Sequence, residues 1–192
     1  MSAPFWRLQS GGRLFQQIYL NTPGDFEAPS HWYLGTHPIE ADYRPLTVRC
    51  GREFRAYPDY FTHGMLDIVS DRFRHVLLEL NAINVEFLPV TVLGKMGEHV
   101  ASNPYWYLRS LETVNCVNAA ESNIEFWNEE THLVKTISRL ILSESAIGNR
   151  TLFQPLGMNM LFVSSETKKR IEQDSLLIHV LPLEDVRLGI HA

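Results

Sequence analysis

The 192-residue chain predicts an α+β fold: a mixed, mostly antiparallel sheet with one main amphipathic helix and one short exposed helix. Three observations carry that prediction. Short runs of β-branched and aromatic residues recur along most of the chain. A clean helical period over several turns is confined to "VSDRFRHVLLELN". Strand-like and helix-like stretches do not alternate regularly, which separates this pattern from a doubly wound sheet. The length fits a single domain over residues 1–192. Within it we expect an irregular N-terminal strand and loop lobe over 1–60 and a more regular core over 61–185.

Taken in order, "FWRL" and "RLFQQIYL" read as short strands, with Gly11 and Gly12 as a turn between them. The stretch from Asn21 to Pro45 is punctuated by Pro23, Gly24, Pro29, Gly35, Pro38 and Pro45. Proline removes an amide donor and fixes φ, so this segment predicts loop with short extended pieces. "LTVRCGREFRAYP" predicts a strand, a turn at Gly51 and another strand. The main helix follows, with Ser70 as its N-cap and Asp71 in its first turn. Phe73, Val76, Leu77 and Leu80 fall at i, i+3, i+4 and i+7 and share its buried face. His75 lies beside that stripe and reads as a packed or surface histidine.

"INVEFLPVTVL" predicts a strand in which Pro89 forces an edge or a bulge. "GKMGEHVASNP" predicts a loop. In "YWYLRSLETVNCVNAAES", period two places Trp106, Leu108, Val114 and Cys116 on one face and Tyr105, Tyr107, Leu111 and Val117 on the other. Both faces are largely apolar, so the strand is expected to be central and covered on both sides. "RSLE" breaks the pattern and suggests a bulge or a wet patch, and "NAAES" ends the strand. "NIEFWNEETH" reads as a polar, acidic connection. In "LVKTISRLILSE" the spacing of Leu133, Ile137, Leu140 and Ile141 fits a helix, but the β-branched content favours a strand, which is the reading taken. "TLFQPLG", "NMLFVS" and "LLIHVLPL" are further strands. "SSETKKRIEQDS" is a short exposed helix capped by Ser164 or Ser165. The last residues are expected to fray.

Hydrophobic residues make up 45% of the chain, enough for a substantial core without staples. Cys50 and Cys116 are far apart and form no close pair, so both read as reduced thiols, and no disulfide framework or zinc ribbon is expected. The eight histidines are scattered, with no metal-ligand spacing. No metal and no cofactor are therefore expected. The net charge of −5 argues against nucleic acid or an anionic membrane as the main partner. No run of 18 apolar residues and no signal-peptide pattern is present, so a cytoplasmic location is expected.

Motifs for chemistry are lacking. "LGKMGEH" has neither the spacing nor the hydroxyl of a phosphate loop, and there is no G-x-S-x-G elbow. Cys116 has no local base, and a thiol in an apolar stretch reads as an inert core residue. Glu121, Glu125, Glu129 and Glu130 form the densest acidic run. Three readings apply to it: a solvated face, a carboxylate pair for acid–base work, or a surface complementary to a basic partner. Phe126 and Trp127, in the same run, could serve as aromatic anchors or pack back on the sheet.

The stretch from Tyr105 to Ser122 also resembles immunity protein family eleven of bacterial polymorphic toxin systems. That family's pattern is a strand of aromatics and aliphatics with an asparagine, then a valine-rich run into Asp-Cys-Leu-Asp and a nearby serine. Tyr105, Trp106, Leu108, Leu111, Val114, Cys116 and Ser122 occupy matching places. The flanks "LDIVSDRFRHVLLEL", "VEFLPVTV", "LILSESAIGNRTLFQP" and "LFVSSETKKRIE" match too. The likeness covers roughly residues 60–183, and the first 60 residues add little to it. Asn115 and Asn118 stand where the family carries aspartates, and Arg109 where it carries the strand asparagine.

The resemblance implies a non-enzymatic protein, typically encoded beside its toxin, that binds and neutralises that cognate toxin stoichiometrically. A basic toxin such as a nuclease would suit the acidic run. On this reading the partner-binding residues are Glu121, Glu125, Trp127, Glu129 and Glu130. Two alternatives stand beside it. One is an enzyme whose site is assembled from dispersed residues, for example Cys116 with a distant histidine. The other is a small-ligand sensor using the aromatic-rich loops. Neither the oligomeric state nor the toxin's chemistry follows from the sequence.

Overall fold

The computed structural model of the chain describes residues 5–9, 18–19, 36–39, 43–50, 56–63, 66–99, 104–128 and 133–189. The turn expected at Gly11 and Gly12, most of the proline-punctuated stretch, the turn at Gly51 and the final residues lie outside them. The α+β class is borne out, and among the described residues the strands are divided among three sheets.

The largest sheet has six strands. They are β2 (Ile18–Tyr19), β3 (Leu46–Cys50), β4 (Tyr60–His63), β5 (Leu66–Ser70), β6 (Val85–Leu93) and β7 (Tyr105–Ser110), in the order β2-β3-β6-β7-β5-β4. β3 and β6 are parallel, and the other neighbours are antiparallel. β7 is central, as its two apolar faces predict. Tyr105 and Tyr107 join a core with Leu46, Phe61, Ile68 and Val90, while Leu108 joins a second core on the opposite face with Tyr60, Val69 and Phe73.

The second sheet has four strands: β1 (Phe5–Gln9), β10 (Leu152–Phe153), β11 (Phe162–Ser164) and β12 (His179–Pro182), in the order β10-β11-β1-β12. β1 and β2 thus belong to different sheets. The third sheet is a hairpin of β8 (Asn123–Asn128) and β9 (Leu133–Arg139). One face of the four-stranded sheet meets the second core through Leu8, Leu152 and Val163. Its other face, through Phe5, Phe153 and Phe162, forms a third core with Val134 and Ile137 of the hairpin.

Among the described residues three α-helices complete the fold: α1 (Asp71–Glu79), α2 (Glu144–Ile147) and α3 (Ser165–Gln173). Ser70 caps α1 by accepting the Phe73 amide, and Phe73, Val76 and Leu77 are buried beneath it. Ser164 caps α3 in the same way through the Thr167 amide. Both helices pack into the second core, through Phe73, Val76 and Leu77 on one and Ile171 on the other.

Several expectations need correction. The strand beginning at Tyr105 ends at Ser110 and does not run on to Val117. Val114 instead bridges Pro155, Val117 bridges Leu142, and Cys116 sits in the third core. "RSLE" therefore holds the last two residues of β7 and the exit from it, rather than a bulge. Arg109 is buried against Glu86, and Glu112 pairs with Arg150 at 2.6 Å. "NIEFWN" is strand β8 and not a connection. Its polar residues mask an alternation in which Ile124 and Phe126 pack inward. Strands β4 and β5 and helix α2 fall where no element was expected. Pro89 lies in an interior strand, but pairing with β3 begins one residue later, at Val90. At that gap its carbonyl accepts the Tyr43 hydroxyl. β9 is a strand, as the β-branched residues indicate.

Candidate functional site

Hairpin β8–β9 splits the acidic and aromatic run by face. On its inner face Ile124 and Phe126 pack against the third core. On its outer face Glu125 and Trp127 are exposed, and Trp127 retains 69% of its surface. Leu133 and Lys135 of β9 are also exposed, alternating with buried Val134. The Lys135 ammonium lies 3.6 Å from the Glu125 carboxylate and 5.3 Å from the centre of the Trp127 ring. An exposed pair of this kind contributes little to stability, so the fold does not account for the placement of Trp127.

Glu121 is exposed in the turn before β8, where its amide donates to the Asn118 carbonyl. Glu129 and Glu130 lie outside the described residues. Three of the five residues expected to bind a partner are thus placed on or beside one strand. Phe126, the other aromatic of the run, is a core residue.

The polar end of the Tyr105–Ser122 stretch is a structural clamp. The Ser122 hydroxyl donates to the Ile141 carbonyl and accepts the Ile141 amide at 2.9 Å. The Asn118 amide donates to the same carbonyl, and the Cys116 carbonyl accepts the Ser143 amide. Cys116 itself is 1% exposed, and burial pushes its thiol up to about 11. A protonated thiol sealed in a core is a poor nucleophile. The enzyme reading built on Cys116 therefore loses its support.

A separate cleft of about 260 Å³ opens at one end of the six-stranded sheet. Asp67 of β5, Leu108 to Ser110 of β7, Leu133 of β9 and the turn Gln154–Asn159 line it. Sequence reasoning missed this cleft, because its walls come from segments far apart in the chain. Asp67 alone carried a local signal, being a carboxylate between Leu66 and Ile68 in an otherwise apolar run. Burial pushes its carboxyl up to about 6, although Tyr60 donates a hydrogen bond to Oδ1 and the Arg7 charge lies near. The same burial lowers the Arg7 guanidinium and holds the Tyr60 hydroxyl well above its ordinary value.

Among the described residues no three His, Cys, Asp or Glu side chains are grouped to hold a metal ion. No helix among them is long and apolar enough to cross a membrane.

These features define an α+β protein with a sealed thiol and an outward strand face of aromatic and acidic side chains. The family model described as immunity protein family (Imm11) matches residues 15–181. The chain belongs to that family. The match begins well before residue 60, so residues 15–60 are part of the family's pattern, contrary to the narrower likeness expected above. Among curated proteins none matches the chain.

Proposed function

We propose that the chain acts in the cytoplasm, as a single domain, to neutralise a cognate protein toxin by one-to-one binding and without catalysis. The observation that carries this reading is membership of the immunity protein family over residues 15–181. The outer face of β8–β9 supports it, because an exposed tryptophan ringed by charge has the make-up of an interface anchor. Glu121, Glu125 and Trp127, with Glu129 and Glu130 next in the chain, form the proposed contact surface. Their charge suits a basic toxin and would act mainly on the rate of encounter.

Calorimetric titration with an inactivated form of the toxin encoded beside this chain's gene tests the reading. Tight one-to-one binding is the expected result. Absence of binding at tens of micromolar, with both proteins folded, would overturn it. Within that experiment, Glu121→Lys with Glu125→Lys should slow association. An unchanged on-rate would move the interface elsewhere.

A further inference from the structure

We propose that the cleft at the end of the six-stranded sheet receives one long basic side chain, a guanidinium or ammonium group, from the bound toxin and pairs it with Asp67. This rests on the immunity reading and adds the chemistry of the contact.

Four observations carry the proposal. First, Asp67 borders the cleft with only one of its two carboxylate oxygens engaged. Oδ1 accepts the Tyr60 hydroxyl, and among the described residues Oδ2 meets no donor. A carboxylate held near an apolar interior gains much from a donor that carries positive charge. Second, the charges around it leave it available. Arg109, the cation in the cleft wall, is committed to Glu86 at 2.6 Å and to the His37 carbonyl at 3.0 Å. Arg7 on β1 is near enough to act on Asp67 through its charge but makes no ion pair with it.

Third, the walls suit a long aliphatic stem that ends in a charge. Leu108, Leu156 and Met158 are apolar, and Gln154 and Asn159 add amide groups. Lysine and arginine bury their methylenes along such walls while the head group finds its acceptor. Fourth, the cleft is continuous with the proposed contact surface. Leu133, which is 51% exposed, belongs both to the cleft wall and to the outer face of β9 beside Lys135. A partner seated on Trp127 and Leu133 therefore passes the cleft mouth.

The test uses n-butylguanidinium, an arginine side-chain analogue, titrated into the full chain and followed by NMR. Saturable shifts at the Ser110, Gln154 and Asn159 amides are expected in the millimolar range. Asp67→Asn, which keeps an acceptor for Tyr60, should weaken binding by about tenfold. Asn159→Arg, at an exposed position that lines the cleft, should do the same without touching the core. Absence of a saturable shift up to about 50 mM, or equal binding by wild type and both variants, would overturn the proposal. The toxin titration separates the two readings. If wild type binds the toxin and both variants bind it equally well, the cleft contact fails and the immunity reading stands. If the toxin does not bind wild type at all, the immunity reading fails, whatever the analogue does.

Discussion

Arg109 stands in the central strand of the large sheet, with its side chain 2% exposed and Glu86 beside it. Breaking such a pair from one side leaves a buried charge without a partner, whereas replacing both sides with apolar groups removes the problem. Arg109→Ala should therefore cost about 4 kcal/mol in urea denaturation. Arg109→Met with Glu86→Leu should recover part of that loss, the remainder being the Ile39 amide that loses its Glu86 acceptor. Equal losses in the single and double variants would show that Arg109 matters through packing and not through charge.

Asp67 makes a pH-dependent prediction at the same scale. Burial lifts its carboxyl from 3.8 to about 6. The folded state then holds the proton over a range where the unfolded chain has lost it, so the contribution of Asp67 to stability is full below the lower value and falls as pH rises to the upper one. Asp67→Asn removes this dependence. Measured against wild type, the variant should gain stability between pH 4 and pH 7. A difference that does not change with pH would mean that Asp67 titrates as an ordinary surface carboxylate.

At the scale of elements, the two capped helices provide a controlled comparison. Ser70 and Ser164 both accept an amide in the first turn of a helix. Ser70 also donates to Asp59, a buried carboxylate that further accepts the Leu177 amide at 2.8 Å. Ser164→Ala should cost about 1 kcal/mol and Ser70→Ala about 2 kcal/mol, by thermal unfolding. Equal costs would show that the Asp59 contact adds nothing.

These caps were legible in the sequence because capping chemistry is local: a hydroxyl, an acidic residue and then an apolar stripe. β4 and β5 were not, because Leu66 and Ile68 serve one core and Val69 another, which removes any alternation. β8 was hidden by its own polar residues, although Ile124 and Phe126 do alternate with Glu125 and Trp127. In the candidate site, Glu125 and Trp127 could be found as a charged and aromatic run, but which aromatic faced solvent depended on the pairing with β9. The cleft was beyond local reading, since Asp67, Leu108, Leu133 and Met158 meet only once the three sheets are assembled.

At the scale of the whole molecule, Cys116 reports on opening of the third core. In a Cys50→Ser background, a thiol reagent should label the native protein only as fast as that core opens, because the thiol is both sealed and protonated. Labelling that slows in step with global stability across a denaturant series is the expected result. Fast labelling insensitive to stability would reveal a local route to the core.

The position of β1 has a consequence for how the protein comes into being. Residues 5–9 lie between strands contributed by residues 162–164 and 179–182. During synthesis β1 must wait for β12 before it has both neighbours, and contacts this distant in sequence form slowly. A nascent chain cut short before residue 179 would leave one edge of β1 bare. On the immunity reading, protection of a cell therefore begins only after residues 179–182 have been translated, because until then the sheet that holds β1 is incomplete.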